Sequence, residues 1–588
     1  MYWLNSNKIR LVVIGLVAAM AIGGGNAKAD FTFGTPKNLG MPVNSVADEY
    51  SHCLSSDGLE LYFGSSRTGG FGSYDLWVTT RTTTDDAWGE PNNLGPAVNS
   101  SISELGVCLS PNGLELYFQS SRSGGLGADD IWVSKRTSRG EPWGEPVNLG
   151  SAVNSELDEY NPCLSGDGLE LYFVHGRWDP EDAPTEESIY VTRRATVDDL
   201  WGEPEDLGPV VNSHACQDTP WISSDGRVLM FTDIWICEPR PGGLGGTDIW
   251  FTRRSSKEAE WTTPLNLGNP INSVFDEDFP MISADGSTLY FSSSRFNFIN
   301  YDYDIYMAPI LPVVDFDSDG VVAINDLLML IESLGTDDPK CDIGPMPWGD
   351  GVVDEADVEV LMKYWGQDLN ALPAPMAHWK LDESEGTVAY DSAGTNDANL
   401  VGDPLWQPAG GWVDGALELD GVDDGAQAGF LFNPVKTPFS AFAWVKGGGP
   451  DQVIVSQAKG NFGRGKNWLL IDSMGNLKSE FIWLNYGVWD PGPDLFSSAQ
   501  ITDGQWHHVG FVWDSYKVSR ILYVDGIEVA RDTMKESSFV NVEDGGINIG
   551  FRASILHLPV PGVWSGLIDD VRIYDRALTA EKIAALAQ

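Results

Sequence analysis

Short segments of alternating apolar and polar residues recur along the first half of the chain. A typical segment is LELYF at 59–63, which directly follows an Asp-Gly pair, and a second apolar segment, DLWV at 75–78, comes shortly after it. Alternation over four to eight residues predicts half-buried β-strands. Asp-Gly and Asn-Gly pairs supply the positive φ angles of tight hairpins. The pattern therefore predicts antiparallel β-structure.

A segment of the form WGEPxNLGxxVNS occurs five times between residue 31 and about residue 310, with a degenerate first copy. Its asparagines are Asn44, Asn99, Asn154, Asn212 and Asn272, at successive spacings of 55, 55, 58 and 60 residues. Four strands per copy predict a five-bladed β-propeller over 30–312. The last copy lacks a fourth strand, whereas 33–40 is an isolated fourth strand. We expect this segment to complete the fifth blade and remove an exposed edge.

Within each copy the pattern S-x-D-G-x-x-L-Y-F-x-S-x-R-x-G-G-x-G-x-x-D-[IL]-[WY] is almost fully matched by residues 55–77 and 110–132. This motif resembles the TolB-like (WD-type) propeller repeat. The resemblance implies a platform for binding or scaffolding and does not identify a ligand.

A carboxylate or amide stands five residues after each repeat asparagine: Glu49, Glu104, Glu159, Gln217 and Glu277. These side chains could form a ring at one mouth of the channel that binds a cation or a basic peptide group. The alternative, which we favour, is that each accepts backbone N–H groups of its own blade, because structural roles repeat with the fold. Arginines also recur once per blade, and we expect them to pair with a blade carboxylate: Arg67, Arg122, Arg177, Arg240 and Arg295.

Three of the six cysteines, Cys53, Cys108 and Cys163, occupy one equivalent position in consecutive blades. Packed sheets lie about 10 Å apart, beyond the roughly 7 Å limit between Cα atoms for a disulfide. We expect buried free thiols. Cys216 and Cys237 of the fourth copy could pair or remain separate.

After residue 312 the periodicity changes. Oxygen ligands at loop positions 1, 3, 5 and 12, with Gly320 at position 6, match the calcium loop of an EF-hand. The expected ligands of this loop are Asp315, Asp317, Asp319, the Val321 carbonyl and Asp326.

A second loop offers Asp350, the Val352 carbonyl and Asp357, but Met346 and Trp348 stand at its positions 1 and 3. A stretched loop would let Asp342 reach back. Each loop precedes a short helical segment. Two such units over 313–370 resemble a dockerin module, which implies calcium as cofactor and a cohesin-like partner.

Residues 371–375 form a Pro/Ala linker, and long alternating segments over 376–588 predict a two-sheet antiparallel sandwich. The motifs HWKLD at 378, AYDSAG at 389, ALELDGVDD at 416, WHHV at 506 and GLIDDVRIY at 566 resemble the laminin-G-like, concanavalin A-like jelly roll. The resemblance implies a structural calcium, for which Asp391 and Asp569 are the candidate ligands.

Two further features of this segment have alternative interpretations. Surface tryptophans could stack on sugars, with Trp468, Trp483 and Trp489 as candidates, although core packing explains most tryptophans in such folds. His507 and His508 could suggest a metal site. Adjacent strand residues face opposite sides of a sheet, however, so the two rings cannot chelate one ion jointly.

The N-terminal segment and the net charge of the chain indicate where the protein is located and what it can bind. Residues 1–29 have the charged, apolar and small-residue parts of a secretory signal peptide. An uncleaved anchor is the alternative. The formal net charge of −49 excludes nucleic-acid binding. We expect no membrane span after cleavage and a secreted, periplasmic or cell-surface location.

The mainly β, multidomain architecture favours a non-catalytic protein that binds carbohydrate or a cell-surface protein. The alternative is an extracellular glycoside hydrolase, which needs a carboxylate pair. The repeated acidic residues argue against an enzyme. The only symmetry-breaking cluster recognised is the third-blade insertion with Asp179, Glu181, Asp182, Glu186 and Glu187, interpreted as a solvated acidic loop. A purely structural spacer is the third interpretation.

Overall fold

The computed structural model describes residues 31–176, 187–213, 216–234, 240–295, 302–434, 438–457, 466–481, 494–533, 545–552 and 562–588. By its internal contacts the chain divides into two compact units. One contains 35–284, 288–308 and 371–588, and the other contains 309–370 with the segment ending at Gly34 and residues 285–287. The proposed signal peptide lies outside the described residues.

The repeat region forms five antiparallel sheets, one per copy. Two strands open the chain, β1 (Phe31–Phe33) and β2 (Lys37–Asn38), and the sheets are then built in order from β3 (Glu49–Leu54), β4 (Glu60–Ser65), β5 (Asp75–Thr80), β6 (Asn92–Asn93); β7 (Glu104–Leu109), β8 (Glu115–Ser120), β9 (Asp130–Lys135), β10 (Val147–Asn148); β11 (Asp158–Leu164), β12 (Glu170–Gly176), β13 (Ser188–Arg193), β14 (Glu205–Asp206); β15 (Gln217–Ile222), β16 (Val228–Asp233), β17 (Asp248–Arg253), β18 (Leu265–Asn266); and β19 (Glu277–Ile282), β20 (Thr288–Ser293), β21 (Asp304–Pro312).

The sheets close into a five-bladed propeller, as the repeat predicts. The first strands contact one another in a complete circle, from β3 through β7, β11, β15 and β19 back to β3. In the fifth sheet β2 pairs with β21, with Lys37 opposite Met307 and Asn38 opposite Tyr306. The N-terminal segment therefore supplies the missing fourth strand of the last blade.

Each first strand carries a β-bulge at the same place. The bulged residues have positive φ angles between 44° and 59°, in the order Ser51, Gly106, Asn161, Thr219 and Phe279. Only glycine adopts this backbone conformation without strain. The bulge places these residues and the ones before them at the central channel.

The propeller core lies between neighbouring blades. Buried aromatic and aliphatic residues of each second strand, such as Tyr62 and Phe118 in blades one and two, pack against residues of the adjacent blade. Equivalent clusters join the second to the third blade, the third to the fourth, and the fifth to the first.

The C-terminal segment forms two packed antiparallel sheets of eight strands each. Its strands are β22 (Ala377–Trp379), β23 (Val388–Ala389), β24 (Ala398–Val401), β25 (Leu405–Gln407), β26 (Ala416–Asp420), β27 (Gly425–Phe430), β28 (Phe439–Gly447), β29 (Val453–Gln457), β30 (Lys466–Ile471), β31 (Asn476–Glu480), β32 (Leu495–Gln500), β33 (Trp506–Asp514), β34 (Ser519–Val524), β35 (Ile527–Thr533), β36 (Gly546–Ile549) and β37 (Ser565–Tyr574). The order β25-β26-β37-β28-β33-β34-β35, with β22 beside β37, forms one sheet. The order β23-β24-β27-β36-β29-β30-β31-β32 forms the other. A C-terminal helix, α3 (Ala580–Leu586), packs on the outer face of the first sheet.

The smaller unit contains two short helices, α1 (Ile324–Glu332) and α2 (Glu355–Lys363), each directly after an acidic loop. Their buried residues, including Leu330 and Leu361, form one small core with residues of the loops. The helical segments expected after the two loops are therefore present.

Candidate functional site

The repeated glutamates are structural. The Glu49 carboxylate is fully buried and accepts hydrogen bonds from Ser45 N (2.6 Å), Ser45 Oγ (2.7 Å) and Ser65 Oγ (2.7 Å). Glu104 and Glu277 repeat these contacts with the equivalent serines of their own blades. They do not form an exposed ring at the channel mouth, so the favoured alternative describes them correctly.

The repeated arginines pair with these carboxylates. Arg67 lies 3.0 Å from Glu49, Arg122 lies 2.7 Å from Glu104, and Arg295 lies 3.0 Å from Glu277. Each guanidinium also lies over aromatic rings of its own blade, where a cation–π contact adds to the ion pair. Arg177 lies outside the described residues.

The fourth blade also contains an ion pair between an arginine and a carboxylate, but its carboxylate lies on the second strand instead of the first. Gln217 replaces the glutamate, and Asp233, directly opposite it on β16, replaces the serine. Arg240 Nε donates to Asp233 Oδ2 at 2.9 Å. The Gln217 amide is fully buried and has no hydrogen-bond partner among the described residues.

The three equivalent cysteines are buried free thiols, as expected. Leu109 N donates to Cys53 Sγ at 3.2 Å, and Leu164 N donates to Cys108 Sγ at 3.3 Å, so each of these sulfurs accepts a backbone N–H from the next blade. Cys237 lies outside the described residues, and its pairing with Cys216 stays a prediction.

The channel contains an unrepeated pair of carboxylates that the sequence analysis missed. Asp218 and Asp278 occupy equivalent positions in blades four and five, six residues after the repeat asparagine. The other three copies carry Tyr50, Leu105 and Tyr160 there. The third-blade insertion is therefore not the only acidic feature that breaks the symmetry of the repeat. Alignment of the five copies at this single position would have revealed the pair.

Glu187 lies beside this pair. Its carboxylate was assigned to a solvated loop, but the residue is fully buried. Burial raises the pKa of Glu187 to about 7, despite the nearby Tyr160 hydroxyl, which lowers it. The interpretation as a solvated residue is thus wrong for Glu187. The other four acidic residues of the insertion lie outside the described residues.

The first acidic loop has the geometry expected of a cation site. Oxygens of Asp315, Asp317 and Asp326 all lie within 4.8 Å of one another. Asp315 accepts backbone hydrogen bonds from Asp319 (3.1 Å) and Gly320 (2.9 Å), which curl the loop around it. Asp319 in turn accepts from Val321 N at 2.8 Å.

The second loop repeats these contacts with Asp342 in the first position. Asp342 accepts from Asp350 N (3.0 Å) and Gly351 N (2.8 Å), as Asp315 does from Asp319 and Gly320 in the first loop. Asp350 accepts from Val352 N at 3.0 Å, and Asp357 accepts from Ile343 N at 2.6 Å. The stretched-loop alternative therefore matches the hydrogen bonding. Gly344 stands two residues after Asp342, where the first loop has Asp317, so this loop has one carboxylate fewer.

The two candidate calcium ligands of the jelly roll differ. Both oxygens of Asp391 are occupied by backbone N–H groups, at 2.9 Å from His378 and 3.1 Å from Asn396. Asp569 is fully buried, accepts from Val413 N at 2.8 Å, and has one oxygen without a partner among the described residues. Burial first, and the neighbouring charges of Asp570 and Asp382, raise the pKa of Asp569 to about 7. Asp391 is not among these acidic neighbours.

Asp569 also supports an exposed tryptophan. Its bond to Val413 N fixes the loop that carries Trp412, whose side chain is 49% exposed. The Trp412 ring stacks on the buried Trp444 ring, with centroids 4.4 Å apart and planes at 18°. This stacked pair, the tryptophan platform, was not singled out from the sequence.

Trp468, His507 and His508 are not part of this platform, although His508 contacts Trp444. Trp468 is a fully buried core residue, whereas Trp483 and Trp489 lie outside the described residues. His508 is buried against Trp444, while His507 bonds to Asp503 and Asp525. The two rings share no ligand set, as the strand geometry requires.

A propeller followed by a two-sheet sandwich of lectin type defines a multimodular β-protein. Residues 420–584 match the family model Laminin_G_3, described as the concanavalin A-like lectin/glucanases superfamily. No curated protein sequence matches the chain. Among the described residues, no helix is both long and apolar enough to cross a membrane.

Several solved structures are similar to this chain, all at low TM-scores. A Trypanosoma rangeli sialidase in complex with the inhibitor DANA is 12% identical over 92% of this chain and 94% of its own, with a TM-score of 0.31. Domain 4 of AbnA, a GH43 extracellular arabinanase from Geobacillus stearothermophilus in complex with arabinotriose, is 21% identical over 36% of this chain and 98% of its own, with a TM-score of 0.26. The binding domain of Paraclostridial Mosquitocidal Protein 1 is 14% identical over 34% and 50%, with a TM-score of 0.28.

Proposed function

We propose that the protein is an exported binding protein whose lectin-type domain binds a polysaccharide at the cell envelope. The propeller serves as a platform, and the two acidic loops bind calcium and order a dockerin-like module that attaches to a cohesin-like partner. The observation that carries the carbohydrate part is the tryptophan platform on a domain that matches a lectin-type family.

The tryptophan platform is built to present a flat apolar face. The Trp412 residue is 49% exposed, and the stacking of its ring on the buried Trp444 ring fixes its orientation. Polar groups lie close by: His508, which touches Trp444, is also near Asp570 and Arg572. An aromatic face next to a few hydrogen-bonding groups is what a sugar ring requires.

Retention on a polysaccharide array tests this proposal with the full mature chain. We expect Trp412→Ala to abolish retention of the polysaccharide that the unaltered protein binds. Phe430→Ala, at a 46% exposed residue of the other sheet, is the matched control and should leave retention unchanged. Equal retention by the unaltered protein and Trp412→Ala would refute the platform.

The calcium part rests on the first loop, where three carboxylates converge within 4.8 Å. Such close carboxylates repel one another unless a cation neutralises them, so calcium should order the module. We expect an immobilised cohesin domain to capture the protein in calcium and release it in EDTA. Capture that is insensitive to EDTA, or no capture by any cohesin tested, would contradict this assignment.

A further inference from the structure

The pair Asp218 and Asp278 breaks the symmetry of the propeller where the channel is lined. Thr219 joins the two: its backbone N donates to Asp218 Oδ1 (2.7 Å), and its hydroxyl donates to Asp278 Oδ1 (2.8 Å). Asn161 Nδ2 donates to Asp218 at 2.6 Å. These hydrogen bonds hold both carboxyl groups in place, and both residues are half-buried at the channel.

The residues that hold the pair form the roof of a cavity. Five first strands enclose a volume of about 110 Å³, and Asn161, Thr219 and Phe279 belong to its lining. The carboxylates of Asp218 and Asp278 therefore lie next to residues that line this cavity.

The surroundings suit an organic cation better than a metal ion. Among the described residues, the trios of acidic, cysteine or histidine side chains with ligand atoms within 4.8 Å lie in the first calcium loop and at Asp420, and none lies in the channel. Aromatic rings flank the carboxylates instead. Tyr50 contacts Phe279 and Tyr303 at centroid distances of 5.6 and 5.9 Å. Rings beside carboxylates attract guanidinium and ammonium groups through their faces.

We propose that the propeller channel binds a lysine or arginine side chain of a protein partner, with Asp218, Asp278 and Glu187 as its carboxylate ligands. The cationic group enters between the rings of Tyr50 and Tyr303. There it loses its bound water and contacts the carboxylate oxygens and the aromatic faces instead. The acidic loops of the smaller unit and the tryptophan platform take no part.

Calorimetry with small probes tests this site on the full mature chain. The probes are Nα-acetyl-L-arginine amide, the lysine equivalent, and the neutral isostere Nα-acetyl-L-citrulline amide. We expect binding of the cationic probes and at least about tenfold weaker binding of citrulline. Asp218→Asn and Asp278→Asn should each weaken binding at least about tenfold. The control, Glu205→Gln at an exposed carboxylate of the third blade, should leave binding unchanged.

Stability separates a binding role from a structural one. Neutralising Asp218 removes repulsion from Asp278 and Glu187, so the unliganded Asp218→Asn variant should unfold at a higher temperature than the unaltered protein. A lower unfolding temperature would indicate a structural carboxylate and overturn the proposal. So would equal binding of citrulline and arginine probes, or binding of neither cationic probe.

Two other outcomes identify a different ligand. Binding of a glucosamine oligomer with no binding of the amino-acid probes would replace the peptide side chain by an amino sugar and overturn the proposed partner. Release of reducing sugar from a polysaccharide that is lost in Asp218→Asn would make the pair hydrolytic and overturn cation binding as its role.

Discussion

The side chain of Asn44 is hydrogen-bonded to the backbone of Ile305, 261 residues away along the chain. Asn44 Nδ2 donates to Ile305 O at 2.9 Å, and Ile305 N donates to Asn44 Oδ1 at 2.9 Å. The other four repeat asparagines make the same two bonds to a residue 23 positions earlier, as Asn99 does to Leu76. In four copies this contact joins residues 23 positions apart. At Asn44 the same contact joins the N-terminal segment to the last blade and so closes the ring.

Asn44→Ala should therefore destabilise the propeller more than the same change elsewhere. Leaving two buried backbone groups unpaired costs about 1–3 kcal/mol for each group at any of the five positions. At Asn44 the change also loosens the strand that closes the ring, which should expose the edge of β21. Thermal unfolding compares Asn44→Ala with Asn154→Ala, and limited proteolysis should cut the N-terminal segment only in the former. Equal behaviour of the two variants would contradict the closure role.

The fourth blade offers a test of the relocated carboxylate. Asp233→Ser leaves Arg240 buried without a carboxylate, at a cost of about 3–5 kcal/mol. Gln217→Glu alone places a second carboxylate beside Asp233, and we expect it to be destabilising as well. The double variant restores the Glu, Ser and Arg arrangement of blade one, so it should be close to the unaltered protein in thermal unfolding. A double variant no more stable than Asp233→Ser would show that the two positions are not coupled.

Calcium titration separates the two loops. With four carboxylates in the first loop and three in the second, we expect two sites, the second weaker. Asp342→Asn should weaken the second site at least about tenfold and leave the first unchanged, whereas Asp326→Asn should do the reverse. Asp337→Asn, at an exposed residue outside both loops, is the control. If calcium binding at the second site is unchanged in Asp342→Asn, Asp342 is not a ligand of that site. Met346 and Trp348 would then occupy positions 1 and 3 of the second loop.

We expect the Asp129 carboxyl group to make the stability of the fold depend on pH. Burial, and the nearby Asp158, raise the pKa of Asp129 to about 6 in the folded chain. The unfolded chain releases this proton at lower pH, so the group destabilises the fold progressively as the pH rises from about 4 to 6. Asp129→Asn should therefore raise the unfolding temperature at pH 7 and change it little at pH 3.

Asp57→Asn gives the opposite sign as a comparison. Hydrogen bonds from Ser55 and Leu59 and the charge of Arg139 outweigh burial and lower the pKa of Asp57. Its stabilising effect is present above the unfolded pKa and is lost as the pH falls through the folded value. This variant should be destabilised at pH 7 and unchanged at low pH. A rise at pH 7 for both variants would indicate a general charge effect.

The fold could be predicted because each blade repeats the same local signals. Asp-Gly turns and alternating strands specify a hairpin wherever they occur, and the unpaired segments at both ends leave one way to close the circle. The first acidic loop was equally readable, since its carboxylates are close in sequence. Asp342 was uncertain because a four-residue insertion shifts it out of the usual spacing.

The channel site and the tryptophan platform were harder to predict for a physical reason. Asp218 and Asp278 are 60 residues apart in sequence, and a bulge and Thr219 bring them together. Trp412 gains its role only from Trp444 below it. Neither contact leaves a local pattern, because both depend on tertiary packing.

Thiol chemistry tests the sulfur arrangement of the first three blades and the open pairing in the fourth. Cys53, Cys108 and Cys163 are at most 9% exposed, and burial together with the neighbouring thiols raises the pKa of Cys53 and Cys108. Because the thiolate is the reactive form, a thiol reagent at pH 8 should label none of them in the folded protein. In denaturant and without reductant, four cysteines should react if Cys216 and Cys237 are paired, and all six if they are not. Rapid labelling of the folded protein at Cys108 would show that the blades open at their inner strands, contrary to the packing described above.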